Sequence, residues 1–318
     1  MKNRIFVRSL LFAVGAAVVA AQAANAPAVI NGTDAFEFVY HVKLPEIKHD
    51  ARIWIPLAKT DAFQEVEMIG SDVPVERHDV RDRDYQNDIC MIKATAADTN
   101  KAVEFRYRVT RKEKLPYEDN GGERSRYLQP EKLVPKNDTL LKLATKATQG
   151  KGTDLERARA LYDHVLGRMR YDKSGKGWGR GDAMYACDAR TGNCSDFHAY
   201  FIGLARSVGL PARFAIGTTI PADRNEGKIE GYHCWAEVFA GGDWVPVDIS
   251  EASKHPELAA YYFGHQPANR FELSKGRDLV VDPAPVSGPI NFLVYPLVEC
   301  DGELSTAETT LSFHRIGS

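Results

Sequence analysis

The chain has no marked excess of either charge. Its 41 Lys and Arg stand against 43 Asp and Glu, for a formal net charge of −2. A balance near zero argues against a general nucleic-acid or anionic-membrane partner, since both call for a basic surface. Long apolar runs are missing as well. The longest, Leu10 to Ala21, is roughly 12 residues where a bilayer span needs about 20. No membrane span is therefore expected in the mature chain. There is no internal repeat and no low-complexity tract. Cysteine is scarce, five in 318 residues, without the paired spacing that structural zinc sites use. No metal and no cofactor are expected.

What is present begins with an address. Residues 1–26, "MKNRIFVRSLLFAVGAAVVAAQAANA", have a basic start (Lys2, Arg4, Arg8), an apolar centre and small residues at the end. This is the layout of a secretory signal peptide, with A-x-A sites ending at Ala23 and Ala26. Cleavage after Ala23 is favoured because Pro27 would follow the other cut. The protein is thus expected to be exported, periplasmic or secreted. An oxidising compartment pairs cysteines, and with an odd number one thiol is left over.

The mature chain reads as three parts. Residues 27–130 carry strands: "FEFVYHVKL" and "VEFRYRV" alternate apolar and polar residues, as a half-buried antiparallel sheet requires. With "RIWIPL", "EVEMIG" and "DICMIKA" they suggest a small β-sandwich serving as scaffold or binding module. Residues 131–285 turn helical. "NDTLLKLATKATQ" is a helix, and Thr153 followed by Glu156 opens another with a capping box. The Gly-rich stretch Tyr171 to Ala189 reads as a loop that delivers the chain to Cys194. A helix from Cys194 to about Val208 follows, stopped by Gly209 with Pro211 beyond. Strands are expected at "PARFAIGTTI", "IEGYHCWAEVF" and "DWVPVDI", then a short helix near Pro256. Residues 286–318 form a C-terminal β extension around "PINFLVYPLVEC" and "TTLSFHRI".

The position of Cys194 matters most. A helix start exposes unpaired N–H groups and the positive end of the helix dipole. A cysteine there has a lowered pKa, and its thiolate is a nucleophile; the same N–H groups can hold an oxyanion. On position alone a buried structural cysteine fits equally well. A nucleophile needs a base and a group to orient it. His233 in "GYHCWAEVF" and Asp248 at the end of "DWVPVD" supply both types. Pairing the two strands about a centre taken between residues 240 and 241 of the turn "AGGD" sets His233 directly opposite Asp248, with Cβ atoms about 5 Å apart. Alternation places Cys234 on the other face, as a structural residue. Trp235 fits the cleft wall and the core equally.

These residues resemble a known family. "GNCSDFHAYFIGLARSVGLPARF" followed by "GYHCWAEVFAGGDWVPVDIS" is similar to the core of the transglutaminase-like superfamily of cysteine enzymes, over about Leu155 to Ser253. The resemblance implies an α+β fold with a papain-like transglutaminase core, the Cys-bearing helix packed on an antiparallel sheet and preceded by the sandwich. It implies Cys194 as nucleophile, His233 as base and Asp248 as orienter. It further implies a side-chain oxyanion donor upstream of the cysteine, for which Trp178 is a candidate, as it also is for the cleft wall.

The expected function is cysteine-dependent acyl transfer on a peptide amide or glutamine carboxamide, through a thioester on Cys194. Water as acceptor makes a protease or amidase, an amine a transglutaminase. The partner is a peptide or protein substrate. The rival is a non-catalytic binding protein on the same scaffold. His198 is open between a cleft residue, a metal ligand and a satisfied structural histidine, the last favoured. A Cys194/His198/His233 metal site lacks a fourth ligand. The loop Asp223 to Gly231 carries carboxylates without the EF-hand pattern. "NCS" at 193–195 matches a glycosylation acceptor that would block the nucleophile. Cys194 is expected free, with up to two disulfides among Cys90, Cys187, Cys234 and Cys300.

Overall fold

A computed structural model describes residues 29–118 and 124–317; the expected leader, residues 1–26, lies outside them. The N-terminal half supplies strands β1 (Thr33–Lys43), β2 (Asp50–Leu57), β3 (Gln64–Asp72), β4 (Glu76–Arg81), β5 (Asp88–Thr95) and β6 (Ala102–Lys112). Helices α1 (Asp138–Ala147) and α2 (Asp154–Arg168) follow, then β7 (Arg170–Tyr171), α3 (Ala183–Ala189), β8 (Thr191–Gly192) and α4 (Cys194–Ser207). Next come β9 (Ala212–Thr219), β10 (Glu226–Ile229), β11 (His233–Ala240), β12 (Asp243–Val247), α5 (Ile249–Lys254) and β13 (Arg270–Lys275). The chain closes with β14 (Leu297–Cys300), β15 (Glu303–Ser305) and β16 (Glu308–Arg315).

The architecture is α+β, with three antiparallel sheets. Two have five strands, in the orders β10-β16-β1-β6-β3 and β15-β14-β2-β5-β4; the third runs β12-β11-β9-β13. The alternation in β1 has its expected effect, since Phe36, Phe38, Tyr40 and Val42 are all buried. They share one hydrophobic core with Val103 and Phe105 of β6, Ile53 and Ile55 of β2, and Ile92 of β5. One polar face and one core face per sheet is what period-two patterning dictates. The C-terminal strands are built into these sheets. β14 pairs with β2, and β16 lies between β1 and β10.

Differences from the sequence reading have local causes. "PINFLVYPLVEC" becomes a strand only at Leu297–Cys300, because Pro289 and Pro296 cannot donate to a ladder. β4, "ERHDVR", is an edge strand with an exposed, charged face, so it lacks the apolar alternation that would reveal it. The Gly-rich loop contains α3, capped by Asp182, whose carboxylate accepts from the backbone N–H of Met184 and Tyr185.

The core of the third sheet is covered by α4. Every residue of that helix from Cys194 to Arg206 is buried, against β9 and β11 on one side and α1, α2 and α3 on others. A helix surrounded by other elements is largely apolar, and the polar side chains α4 buries, Asp196, His198 and Arg206 among them, are hydrogen-bonded. Gly217 in β9 lies between β11 and β13, beside the bulge at Glu272 to Ser274. A Cβ there would sit 1.8 Å from the Phe271 carbonyl oxygen. Backbone cannot yield as a side-chain tip can, so Gly217→Ala is expected to destabilise the fold by on the order of 3 kcal/mol. A urea midpoint unchanged from wild type would show that the sheet relaxes freely.

The sandwich and the core are joined by buried charge. Lys114, just past β6, reaches Glu237 of β11 at 2.7 Å, and Arg213 of β9 reaches the other carboxylate oxygen at 2.6 Å. The Tyr117 hydroxyl donates to that same oxygen at 2.9 Å.

Candidate active site

The start of α4 is shaped by the two residues before it, Gly192 and Asn193, and by Asp196 in its first turn. Gly192 has φ 155°, and a Cβ there would meet the Asp196 side chain at 2.6 Å, so only glycine fits. Asn193 is the N-cap: its Oδ1 accepts from Ser195 N at 3.0 Å, while its own N–H donates to Asp196 Oδ2 at 3.0 Å. This reciprocal box is Asn-x-x-Asp rather than the commoner Ser/Thr with Glu/Gln. The amides of Asp196 and Phe197 both turn back to the Asn193 carbonyl. The first-turn amide of Cys194 has no protein acceptor among the described residues. It is an open donor beside the sulfur.

Asp196 also anchors the Gly-rich loop, accepting from Gly179 N at 2.6 Å and Gly181 N at 3.0 Å. Arg277 grips the Gly181 carbonyl from the other side at 2.6 Å. Tyr232 completes the brace. Its hydroxyl accepts from Asn193 Nδ2 at 2.8 Å and lies 3.2 Å from Ser195 Oγ.

His233 and Asp248 meet, though not by direct opposition. Gly241 and Gly242, with φ of 70° and 103°, form a two-residue hairpin loop. That sets Ala240 opposite Asp243 and Ala236 opposite Val247. The register is thus shifted by two residues from the expected one, and Asp248 has left the ladder to cap α5. A shift of two preserves the face, so the side chains still converge. His233 Nε2 lies 2.6 Å from Asp248 Oδ2. The second oxygen, Oδ1, accepts from Glu251 N and Ser250 Oγ, each at 3.1 Å. Cap and hydrogen bond together fix the carboxylate.

Burial makes these interactions strong. Burial works to lower the His233 pKa, but the Asp248 carboxylate, through charge and hydrogen bond, and then Cys194 raise it to about 9. Burial likewise opposes ionisation of Asp248, yet His233, then His198 and Arg270, hold its pKa below the ordinary carboxylate range. The Cys194 thiol is pushed well below its ordinary value, first by a hydrogen bond from Cys234, then, against burial, by the hydrogen bond and charge of His233. With Nε2 committed to Asp248, the His233 nitrogen left to exchange a proton with Cys194 is Nδ1.

Cys234, next to His233 at the start of β11, is fully buried. Its thiol lies 3.7 Å from His198 Nδ1. All five cysteines are free, so the expected disulfides are absent. Cys90 and Cys187 are buried on separate elements, β5 and α3. His198 is fully buried, and its Nε2 accepts from Ile249 N at 3.1 Å. Trp235 is fully buried too, its ring centroid 6.2 Å from that of His233. Among the described residues no group of His, Cys, Asp and Glu is arranged to hold a metal ion.

A cavity of about 430 Å³ opens beside His233, walled by Tyr171, Tyr232, Lys173, Glu251 and Lys254. Trp178 is half-buried in the Gly-rich loop and does not line this cavity. Tyr171 does, and Cys194 is close enough to contribute to the upward shift of its hydroxyl pKa, after burial. Sequence reading passed over Tyr171. The available signal was its place at the start of the loop leading to the cysteine, where an aromatic hydroxyl offers a donor.

Residues 141–249 match the family model of the transglutaminase-like superfamily. An uncharacterised protein of Haemophilus influenzae is 30% identical over 202 residues, 53% of this chain and 55% of that protein. The chain thus spans about half the length of the curated relative it matches. The crystal structure of a candidate cysteine protease from Cytophaga hutchinsonii superposes with a TM-score of 0.59 at 16% identity, covering 90% of this chain and 92% of the other. At that identity the likeness is one of fold.

Proposed function

Because this chain has a transglutaminase-like core over residues 141–249, we propose that it is an exported cysteine enzyme of the protease, amidase or transglutaminase type, with Cys194, His233 and Asp248 as its catalytic residues. The observation that carries the reading is the His233–Asp248 hydrogen bond of 2.6 Å beside a cavity that His233 lines, with Cys194 at the start of the helix that packs on β11.

The chemistry follows from the atoms present. The Cys194 thiolate attacks the carbonyl carbon of a peptide amide or glutamine carboxamide. The developing oxyanion accepts from the open Cys194 amide, with Tyr171 at the cavity wall and Trp178 in the Gly-rich loop as the side-chain candidates. His233, protonated on Nδ1, gives its proton to the leaving nitrogen, and a thioester remains on Cys194. Water or an amine, deprotonated by the same imidazole, then releases the acyl group. Asp248 holds the ring and stabilises its cationic form, as an orienting carboxylate does.

A thiol-directed peptide-amide probe tests the reading. Labelling of the wild type that vanishes in Cys194→Ala, with peptide fragments or crosslinks appearing only with the wild type in mass spectra of peptide and cell-wall substrates, is the expected result. Equal labelling of both proteins, with unchanged substrates, would leave a binding scaffold instead.

A further inference from the structure

The strand that leads into the cavity leaves one edge open. β10 is the outermost strand of its sheet, with β16 on its inner side. The ladder between them fixes which backbone groups face outward. Arg315 N donates to the Asn225 carbonyl at 2.6 Å, and the register continues with Glu226 opposite His314. Asn225 and Arg315 are therefore a hydrogen-bonded pair, and such pairs recur at every second residue of an antiparallel ladder. Gly227 and Ile229 thus turn their N–H and C=O toward β16, opposite Phe313 and Leu311. Lys228 and Glu230 turn theirs to the open edge. The Lys228 carbonyl shows the direction, since it accepts from the Arg224 guanidinium at 3.0 Å.

The Glu230 N–H and C=O have no protein partner among the described residues. Ile229, Glu230, Gly231, Tyr232 and His233 follow one another along the cavity wall. From Glu230 to His233 is three residues, at most ~10 Å at the rise of an extended chain. A strand end with an exposed donor and acceptor is a template for pairing with another extended chain. This one points its template into the cavity that holds the proposed base.

We propose that an extended peptide substrate pairs with the Glu230 end of β10, accepting from the Glu230 N–H and donating to its C=O, two or three residues from the scissile amide. The proposal rests on Cys194, His233 and Asp248 being the catalytic residues. It adds the substrate class: a stretch of polypeptide, not an isolated carboxamide or a small amide. Main-chain recognition is indifferent to the side chain of the paired residue but requires a backbone N–H, so proline is excluded there. Arg224, by occupying the Lys228 carbonyl, confines full pairing to the end nearest the cavity and blunts the rest of the edge.

The test is the rate of Cys194 labelling in the full chain by two alanine-peptide series of increasing length. One series ends in a chloromethyl ketone and extends on the acyl side of the sulfur. The other starts with an N-chloroacetyl group and extends on the leaving-group side. Mass spectrometry of the Cys194 peptide reads the rates, each taken relative to iodoacetamide, which is too small to reach Glu230. In one series the rate should rise about tenfold as the peptide gains its second or third residue, from two backbone hydrogen bonds. N-methylation of the paired amide, or Glu230→Pro at an edge where proline is tolerated, removes one of the two and should leave about threefold or less. Glu230→Ala keeps the N–H and should rise with length as the wild type does. If Glu230→Pro lacks the native far-UV spectrum, N-methylation at each amide in turn decides with the wild type alone. Rates independent of length in both series overturn the proposal and leave the nucleophile intact. A rise that survives every N-methylation or a folded Glu230→Pro overturns it too, as does a rise lost in Glu230→Ala, which would assign recognition to the side chain. A wild type whose Cys194 reacts with neither iodoacetamide nor any peptide removes the nucleophile and this proposal together.

Discussion

His233→Ala is expected to lower kcat/KM on the order of 10⁴-fold, nearly as far as Cys194→Ala, because groups that act as a unit do not lose activity additively. In the proposed reaction the imidazole does two jobs, making the thiolate and delivering the proton that lets nitrogen leave. The pH dependence separates the two. His233 must be protonated for the second job, and its pKa stands at about 9. The activity of the wild type is therefore expected to hold through neutral pH and fall as the pH passes about 9. Alkylation of Cys194, which needs only the thiolate, should persist above that point and also down to pH 6, where a free thiol with a pKa of about 8.5 is nearly unreactive. In Asp248→Asn the carboxylate that raises the His233 pKa is gone, so the alkaline fall in activity should move to lower pH. In His233→Ala the alkylation profile should return toward that of an ordinary thiol. An alkaline limb that stays at the same pH in Asp248→Asn would mean that another group is titrating.

The second large effect is on stability. Glu237 is buried between Lys114 and Arg213, and both its oxygens are engaged, at 2.7 Å and 2.6 Å. Removing it takes the shared anion away from both cations and leaves Lys114 the more distant Glu272, at 3.6 Å. Glu237→Ala is expected to destabilise the protein by about 3–5 kcal/mol, the usual cost of breaking a buried pair from one side. Burial works to raise the Glu237 pKa, but Lys114 and then Arg213 hold it well below the ordinary value. A depressed folded-state pKa contributes stability that is complete above the unfolded value, near 4.3, and is lost as pH falls toward the folded one. The wild type should thus lose stability below about pH 4 more steeply than Glu237→Ala does. Denaturant midpoints measured from pH 3 to pH 7 check both parts. Parallel curves for the two proteins would show that Glu237 is not the ionised centre of the cluster.

The sequence made the fold of α4 and of β1 legible because each has one strong local pattern. A capped start and a Gly209 stop frame α4, and strict alternation marks β1. Cys194, His233 and Asp248 were legible as a group because helix start, strand start and strand end are recognisable positions. Their contact was anticipated through the wrong register. The hairpin turns on Gly241 and Gly242, one residue beyond the expected centre, and only the parity of the resulting shift kept the side chains together. Tyr171 was illegible for a different reason. Its place on the cavity wall depends on where the Gly-rich loop lies against α4, a tertiary fact that no alternation or spacing encodes. Lys114 and Glu237 are alike: nothing between β6 and β11 in the sequence announces that two charges far apart will be buried together.

The place of β16 bears on how the molecule comes to exist. The strand made early, β1, has β16 as one of its two neighbours, with Phe36 opposite Arg315 and Lys43 opposite Glu308. A ribosome releasing the chain from its N-terminus cannot supply that neighbour until β2 to β15 have been made. Until then one edge of β1 stays open, and its Phe36, Phe38 and Tyr40 lack the cover that Leu311 and Phe313 provide. Pairing between strands so far apart in sequence carries a large loop-closure penalty, so it forms late and slowly. The first strand of this sheet to be made waits on the last, and the order of synthesis and the order of assembly are uncoupled along this edge.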